Sequence, residues 1–139
     1  MESIKIFQDS THDLIKKADI SFTNDSYIVS INDKIIGFFN AHIRQNDMMI
    51  DYELLEEYRG IGLGNYFLSI IEDYLSTNFE FDRFLLIIRY DNEKSKKVAL
   101  KNNYSIDYDI SEEMSIDGEM TMYTPYMKTN EKNDKKTLK

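Results

Sequence analysis

A chain of 139 residues is long enough for one domain with a sizeable core and too short for two. Apolar residues make up 42% and charged residues 30%, a globular balance, and the absence of Cys excludes disulfides, thiolate metal sites and cysteine nucleophiles. Two His, at positions 12 and 42, argue against a histidine metal centre, so no metal site is expected. The longest apolar run, Phe84 to Ile88, is too short for a bilayer. Met1-Glu2-Ser3-Ile4-Lys5 lacks a signal-peptide pattern, so the expected compartment is the cytoplasm.

The formal net charge is −8, but it is unevenly spread. Residues 127–139 hold five Lys against two acids, leaving 12 basic and 23 acidic residues, about −11, in residues 1–126. A body that acidic repels nucleic acid and attracts a cationic partner such as an amine. The expected division is a domain over 1–128 and a basic, disordered tail over 129–139.

In chain order, Ser3 to Phe7 alternates like a short strand. Ser10-Thr11-His12-Asp13 has the look of a helix cap, with Leu14, Ile15 and Ala18 as a modest apolar face. Tyr27–Ile31 and Ile35–Ile43 read as strands joined at Asn32-Asp33, and Asn46-Asp47 marks the next reversal. From Met48 to Leu55, Met48, Ile50, Tyr52 and Leu54 occupy one face, Asp51 and Glu53 the other. Leu63, Phe67, Ile70, Ile71, Tyr74 and Leu75 then recur at helical spacing. Phe84–Ile88 reads as a strand covered on both faces, and Asn92 as the cap of a second helix carrying Val98 and Leu100. Tyr104–Ile110 and Met120–Met127 close the chain as strands around Asp117-Gly118, with Pro125 at an edge or bulge. The expected fold is a single-domain α/β structure in the order β-α-β-β-β-α-β-α-β-β.

The stretch Arg59-Gly60-Ile61-Gly62-Leu63-Gly64-Asn65 lies between a strand and the start of the most regular helix. Glycines there allow a tight turn and close approach of a ligand. The first amides of the helix lack intrahelical partners and sit at its positive end, which suits a phosphate or diphosphate. Arg59 adds a charge able to engage phosphate oxygens. Because the remainder is acidic, this loop is expected to hold the anion unaided. The order Gly-Lys-Ser/Thr of a P-loop is missing, as is the third glycine of a dinucleotide fingerprint.

Arg59-x-x-Gly62-x-Gly64 after an acidic, apolar strand resembles the acyl-CoA motif of the GNAT N-acetyltransferase family. Asn92-Glu93-Lys94-Ser95 with Asn103-Tyr104 resembles that family's second pattern, Asn-x-x-Ala followed by Gly-Phe eleven and twelve residues after the Asn. The resemblance extends over most of residues 1–128 and implies a mixed, mostly antiparallel sheet with helices on both faces. It also implies that the strand before the glycine loop splays from its neighbour. By position, the backbone of Leu54 would hold the pantetheine, and the amide of Tyr52 would polarise the thioester carbonyl. Arg59, Gly60, Ile61, Gly62, Leu63, Gly64 and Asn65 would hold the diphosphate, and Asn92 would touch the pantetheine side.

The implied reaction is transfer of an acetyl group from acetyl-CoA to a primary amine of a small cationic molecule or a protein. Two side chains depart from the family's pattern. Ala99 stands where a Tyr acid is expected, and Met48 or Ile87 where a Glu base is used. Asp51 or Glu53 is the candidate replacement base, and Tyr58, Tyr90 or Tyr104 the candidate acid. His42, on a polar strand face with Asn40 and Arg44, is a lesser candidate for the acceptor groove. Only residues 8–26 separate the first two strands, which implies one helix where the family has two and hence an open acceptor groove. The alternative reading is a non-catalytic member that binds acyl-CoA or a protein partner, and a homodimer through the strand near Pro125 is compatible with either.

Overall fold

The computed structural model describes residues 2–8, 26–107, 112–116 and 119–132. The strands are β1 (Ile4–Gln8), β2 (Ser26–Ile31), β3 (Lys34–Arg44), β4 (Asp47–Leu54), β5 (Arg83–Arg89), β6 (Ser105–Ile106), β7 (Glu112–Ile116) and β8 (Glu119–Thr129). Among the described residues the helices are α1 (Leu63–Asn78) and α2 (Glu93–Lys101), with a 3-10 turn at Glu56–Tyr58. One mixed sheet runs in the order β1-β2-β3-β4-β5-β8-β6, with β7 also paired to β8. Every described pairing is antiparallel except β4 with β5.

Local chemistry explains the hairpins. Asn32 and Asp33 have φ of 51° and 66°, and Gln45 and Asn46 have 54° and 68°. Both tight turns therefore use the left-handed pairs that match the twist of flanking strands. The second turn sits one residue earlier than expected, because Asp47 already belongs to β4. There it receives Arg83 in a two-point contact at 3.1 and 2.9 Å, and Asp107 lies 3.6 Å from the same guanidinium. These contacts raise the Arg83 pKa further, chiefly through the Asp47 hydrogen bond, and tie the start of β4 to β5.

The main core lies between one sheet face and α1. Phe67, Leu68, Ile71 and Leu75 of α1 are fully buried against Val29, Phe39, Met48 and Leu86, and Ala99 and Tyr104 extend the same cluster under α2. Tyr27 stacks on Phe39 at 4.8 Å, with Tyr74 edge-on to both rings. Ile28 and Phe38 alternate to the opposite face and form a smaller buried cluster with Ile35 and Leu55. The helix expected after Ser10 and the acceptor-side segment 8–26 fall almost wholly outside the described residues.

The C-terminal part departs from expectation. In place of one strand from Tyr104 to Ile110, β6 holds two residues and a separate β7 pairs with β8. Pro125 falls between these two partners, and the Asp107 N–H donates to its carbonyl at 2.9 Å. Its absent N–H therefore faces the break in pairing, the position a sheet tolerates. The boundary expected after residue 128 falls inside β8. Just beyond β8, Asn130 is 2% exposed, donates to the Phe81 carbonyl through its side chain and to the Asp82 carbonyl through its amide.

Candidate active site

Strands β4 and β5 run parallel and pair only at Asp47–Arg83, Met48–Phe84 and Met49–Leu85. Beyond Met49 they part, while β5 stays paired to β8 as far as Arg89–Tyr123. On the other side, β4 keeps its full pairing with β3, and the Leu55 N–H donates to the Ile36 carbonyl at 2.9 Å. Antiparallel pairing alternates, so that bond makes Gly37–Leu54 a non-hydrogen-bonded pair. It follows that the main-chain groups of Ile50, Tyr52 and Leu54 point away from β3, into the opening. The splay that the resemblance implied is present, and its edge carries the two residues whose main chain was expected there.

A cleft of about 630 Å³ opens at this edge. Its walls bring together Tyr52, Glu53 and Leu54 of β4 with Arg59, Gly60, Gly62, Gly64 and Asn65 of the loop and Asn92 at the start of α2. Gly60 and Gly62 have φ of 77° and 82°, and a Cβ on either would meet nothing within 4 Å. These glycines are needed for their backbone conformation and for the open space above them. Gly62 directly precedes α1, whose first turn carries no acidic residue. Gly64 serves packing instead, since a Cβ there would lie 3.2 Å from Val98 of α2. The Asn102 side-chain amide donates to Oδ1 of Asn65, a second link between the helices. Asn92 caps α2 by accepting from the Ser95 N–H at 3.2 Å. Ile61 and Leu63 do not line the cleft: Ile61 is 66% exposed and Leu63 packs against the core.

Arg59 is placed differently from the free phosphate ligand expected. Its Nε donates to the Leu54 carbonyl at 2.8 Å and its Nη2 to Glu53 at 2.7 Å. The 3-10 turn folds the chain back so that this side chain joins the loop to the end of β4. Glu53 is correspondingly engaged as an ion-pair partner.

Asp51 lines a second, smaller cleft of about 200 Å³ in the β4–β5 gap. Tyr52, Asn92 and Ser95 line both clefts, so the two meet along one seam. The Asp51 side chain reaches solvent at the mouth, but desolvation by the surrounding walls raises its pKa, and the charge of His42 partly offsets this. Tyr123, from the far end of the chain, lines this gap. Ile87 does so too, whereas Met48 is 2% exposed in the core and Ala99 is fully buried. Of the tyrosines considered as acids, Tyr58 packs against the core, Tyr90 is 54% exposed and Tyr104 is 3% exposed.

The residues that sequence reasoning missed are Tyr123 and the lysines of α2. Lys94, Lys97 and Lys101 also line the large cleft, so Arg59 is not its only cationic side chain. Their spacing of i, i+3 and i+7 marks one helix face and was a readable signal. Nothing local marks Tyr123, which arrives through the β5–β8 pairing.

Beneath the seam lies a buried polar group. The Tyr52 hydroxyl is buried without a hydrogen-bond partner, the Tyr104 hydroxyl interacts with the Glu72 carboxylate, and Glu72 Oε1 accepts from Lys128 at 2.9 Å. Burial, with the Glu72 carboxylate second, pushes the Tyr52 phenol up to about 12 and the Tyr104 phenol upward as well. Neither ionises near neutral pH.

Comparison with known proteins agrees with this geometry. The family model for the acetyltransferase (GNAT) family matches residues 2–104. No curated protein sequence gives a significant match. Among solved structures, the chain is similar to a spermidine N-acetyltransferase from Vibrio cholerae in complex with CoA and spermine (TM-score 0.66, 16% identity, 78% of this chain and 66% of that one). It is also similar to RimL, a ribosomal L7/L12 alpha-N-protein acetyltransferase in complex with CoA (TM-score 0.63, 18% identity, 75% and 60%). A GNAT acetyltransferase from Streptococcus pneumoniae gives 0.61 at 17% identity, with 75% and 65% covered. The chain thus spans under two thirds of the length of these structures. Among the described residues no helix is long and apolar enough to cross a membrane. With a mixed sheet opened between β4 and β5 and a family match over residues 2–104, the chain belongs to the GNAT acetyltransferase family.

Proposed function

We propose that the protein is an acetyl-CoA-dependent N-acetyltransferase acting on a primary amine of a small cationic molecule or of a protein. The observation that carries this reading is the opened β4–β5 edge, with main-chain groups facing a cleft that also contains the glycine loop. The loop amides around Gly60, Ile61, Gly62, Leu63, Gly64 and Asn65 would hold the diphosphate, and Leu54 and Asn92 the pantetheine arm. The site's fit to CoA is supported by the unfilled space above Gly60 and Gly62. CoA supplies the acetyl group as a thioester when bound.

In this reading Asp51 takes the proton from the ammonium, directly or through water, and the neutral amine attacks the thioester carbon. A carboxylate raised by desolvation is a better base than an ordinary one. The Tyr52 N–H would donate to the carbonyl oxygen as negative charge develops there. Tyr123, which lines the gap, would protonate the departing thiolate. Glu53, held by Arg59, positions the loop and is a weaker candidate for base. An acidic body favours a cationic acceptor, and amine or protein acetylation by the structural neighbours supports the same class.

A second reading, a non-catalytic member that binds acyl-CoA or a protein, is favoured by Ala99 in the core where the family's Tyr stands. Thermal denaturation with acetyl-CoA, followed by thiol release across an amine panel, separates the two. Acetyl-CoA at a hundredfold over its Kd should stabilise the fold by about 2.7 kcal/mol. Stabilisation without thiol release on any amine would favour the second reading, and no stabilisation would remove the enzyme and leave only a member that binds a protein partner.

A further inference from the structure

We infer that the gap between β4 and β5 takes an acceptor that carries a carboxylate as well as its amine, a small amino acid, with Arg89 as the residue that holds the carboxylate. The inference rests on the acetyl-transfer reading and deepens it by naming the acceptor class.

Strand alternation places the groups. Phe84, Leu86 and Ile88 of β5 turn to the core beside Met48 and Ile50 of β4, so Asp51, Ile87 and Arg89 share the opposite sheet face. The register sets Tyr123 of β8 directly across from Arg89, and therefore on that face too. All four line the small cleft. One wall of the gap thus offers a carboxylate, and the other an apolar side chain followed by a guanidinium.

These two charges are less committed than the others nearby. Arg59 is held by Leu54 and Glu53, and Arg83 makes a two-point contact with Asp47. Arg89 has one ion partner among the described residues, Asp91 at 2.9 Å, in a pair whose side chains are 55% and 48% exposed. An ion pair so exposed contributes little, and a planar guanidinium with five donors can engage a second carboxylate. Among the described residues Asp51 forms no ion pair.

Opposite charges on facing walls orient what enters. An ammonium is drawn to Asp51 and repelled by Arg89, and a carboxylate the reverse, so an amino acid enters in one direction, with its amine beside the candidate base. A diamine sets its second ammonium against Arg89 and loses there what it gains at Asp51. The amine end is still the cation that the acidic body attracts. At about 200 Å³ the cleft is smaller than the roughly 300–1,000 Å³ of sites for drug-sized ligands, which fits a compact acceptor.

The test is steady-state thiol release from acetyl-CoA by the full chain with three acceptor series: unbranched amino acids of increasing spacer, their primary amides, and diamines of matching length. At the best spacer, kcat/KM for the acid should exceed that for its amide by at least about tenfold, chiefly through KM, because a charge pair remote from the reacting atoms binds ground and transition states alike. In Arg89→Gln the acid and its amide should come within about twofold, with kcat for the amide unchanged, whereas Arg89→Lys should keep part of the preference. Equal thermal stabilisation of all variants by acetyl-CoA shows that fold and cofactor cleft are intact. Equal kcat/KM for acids and amides, a preference for diamines, release with peptide amines alone, or a preference that survives Arg89→Gln overturns this inference and leaves acetyl transfer standing. No thiol release on any acceptor overturns both.

Discussion

Replacing Gly37 by Ala should damage fold and site together. A Cβ at this position would lie 2.5 Å from the Glu53 carbonyl oxygen, 2.8 Å from Phe67 Cζ and 3.2 Å from Leu54 Cα. Two of these are backbone atoms of β4, and Phe67 is fully buried, so neither side yields freely. Relief requires β4 to move from β3 by several tenths of an ångström. Overpacking of this kind costs about 1–3 kcal/mol. The lower entropy of an unfolded Ala returns about 0.4–1 kcal/mol, leaving a net loss of about 1–2 kcal/mol. For a chain of this length that is a fall in Tm of roughly 3–10 °C. The displaced residues are the cleft edge at Glu53 and Leu54, so affinity for CoA should fall as well. Thermal unfolding by circular dichroism with parallel CoA titration measures both effects. An unchanged Tm would refute the reasoning. The same methyl at Gly62 meets no atom, and Gly62→Ala should cost only about 1–2 kcal/mol of left-handed strain.

Further outcomes follow from the buried polar group and the gap. Tyr52 stays protonated in the fold to about pH 12, while the unfolded phenol loses its proton from about 10. The folded state therefore holds the extra proton, its stability declines as pH rises through that interval, and Tyr52→Phe should flatten the decline. Asp51 is likewise raised, so its contribution is present below the ordinary carboxylate value and lost as pH rises through the folded one. Asp51→Asn should remove that component of the acid-range stability profile and, if Asp51 is the base, lower kcat by about 100-fold or more with CoA affinity retained. Asn92→Ala removes the cap of α2 and should cost about 1 kcal/mol by thermal unfolding.

Local chemistry explains how much of the fold was legible. The apolar periodicity from Leu63 to Leu75 marks α1, and the alternation from Met48 to Leu54 assigns the faces of β4 correctly. Asn32-Asp33 marks its turn because short polar side chains accept left-handed backbone. The region after Tyr104 was misread because β6 is only two residues long and has no period of its own. Its pairing is set by the β8 residues opposite.

The site divides in the same way. Sequence alone determined the glycine loop, the cap at Asn92 and the membership they imply, since these depend on a residue's own backbone preferences and near neighbours. Tertiary structure alone decided that Arg59 closes on Glu53 and Leu54, that Asp51 and Tyr123 share one gap, and that three lysines complete the large cleft. Those groups meet because β4 parts from β5 after Met49 and β8 runs alongside β5. Strand neighbours distant in the chain are chosen by burial and pairing across the whole sheet, for which no short stretch of residues carries the instruction.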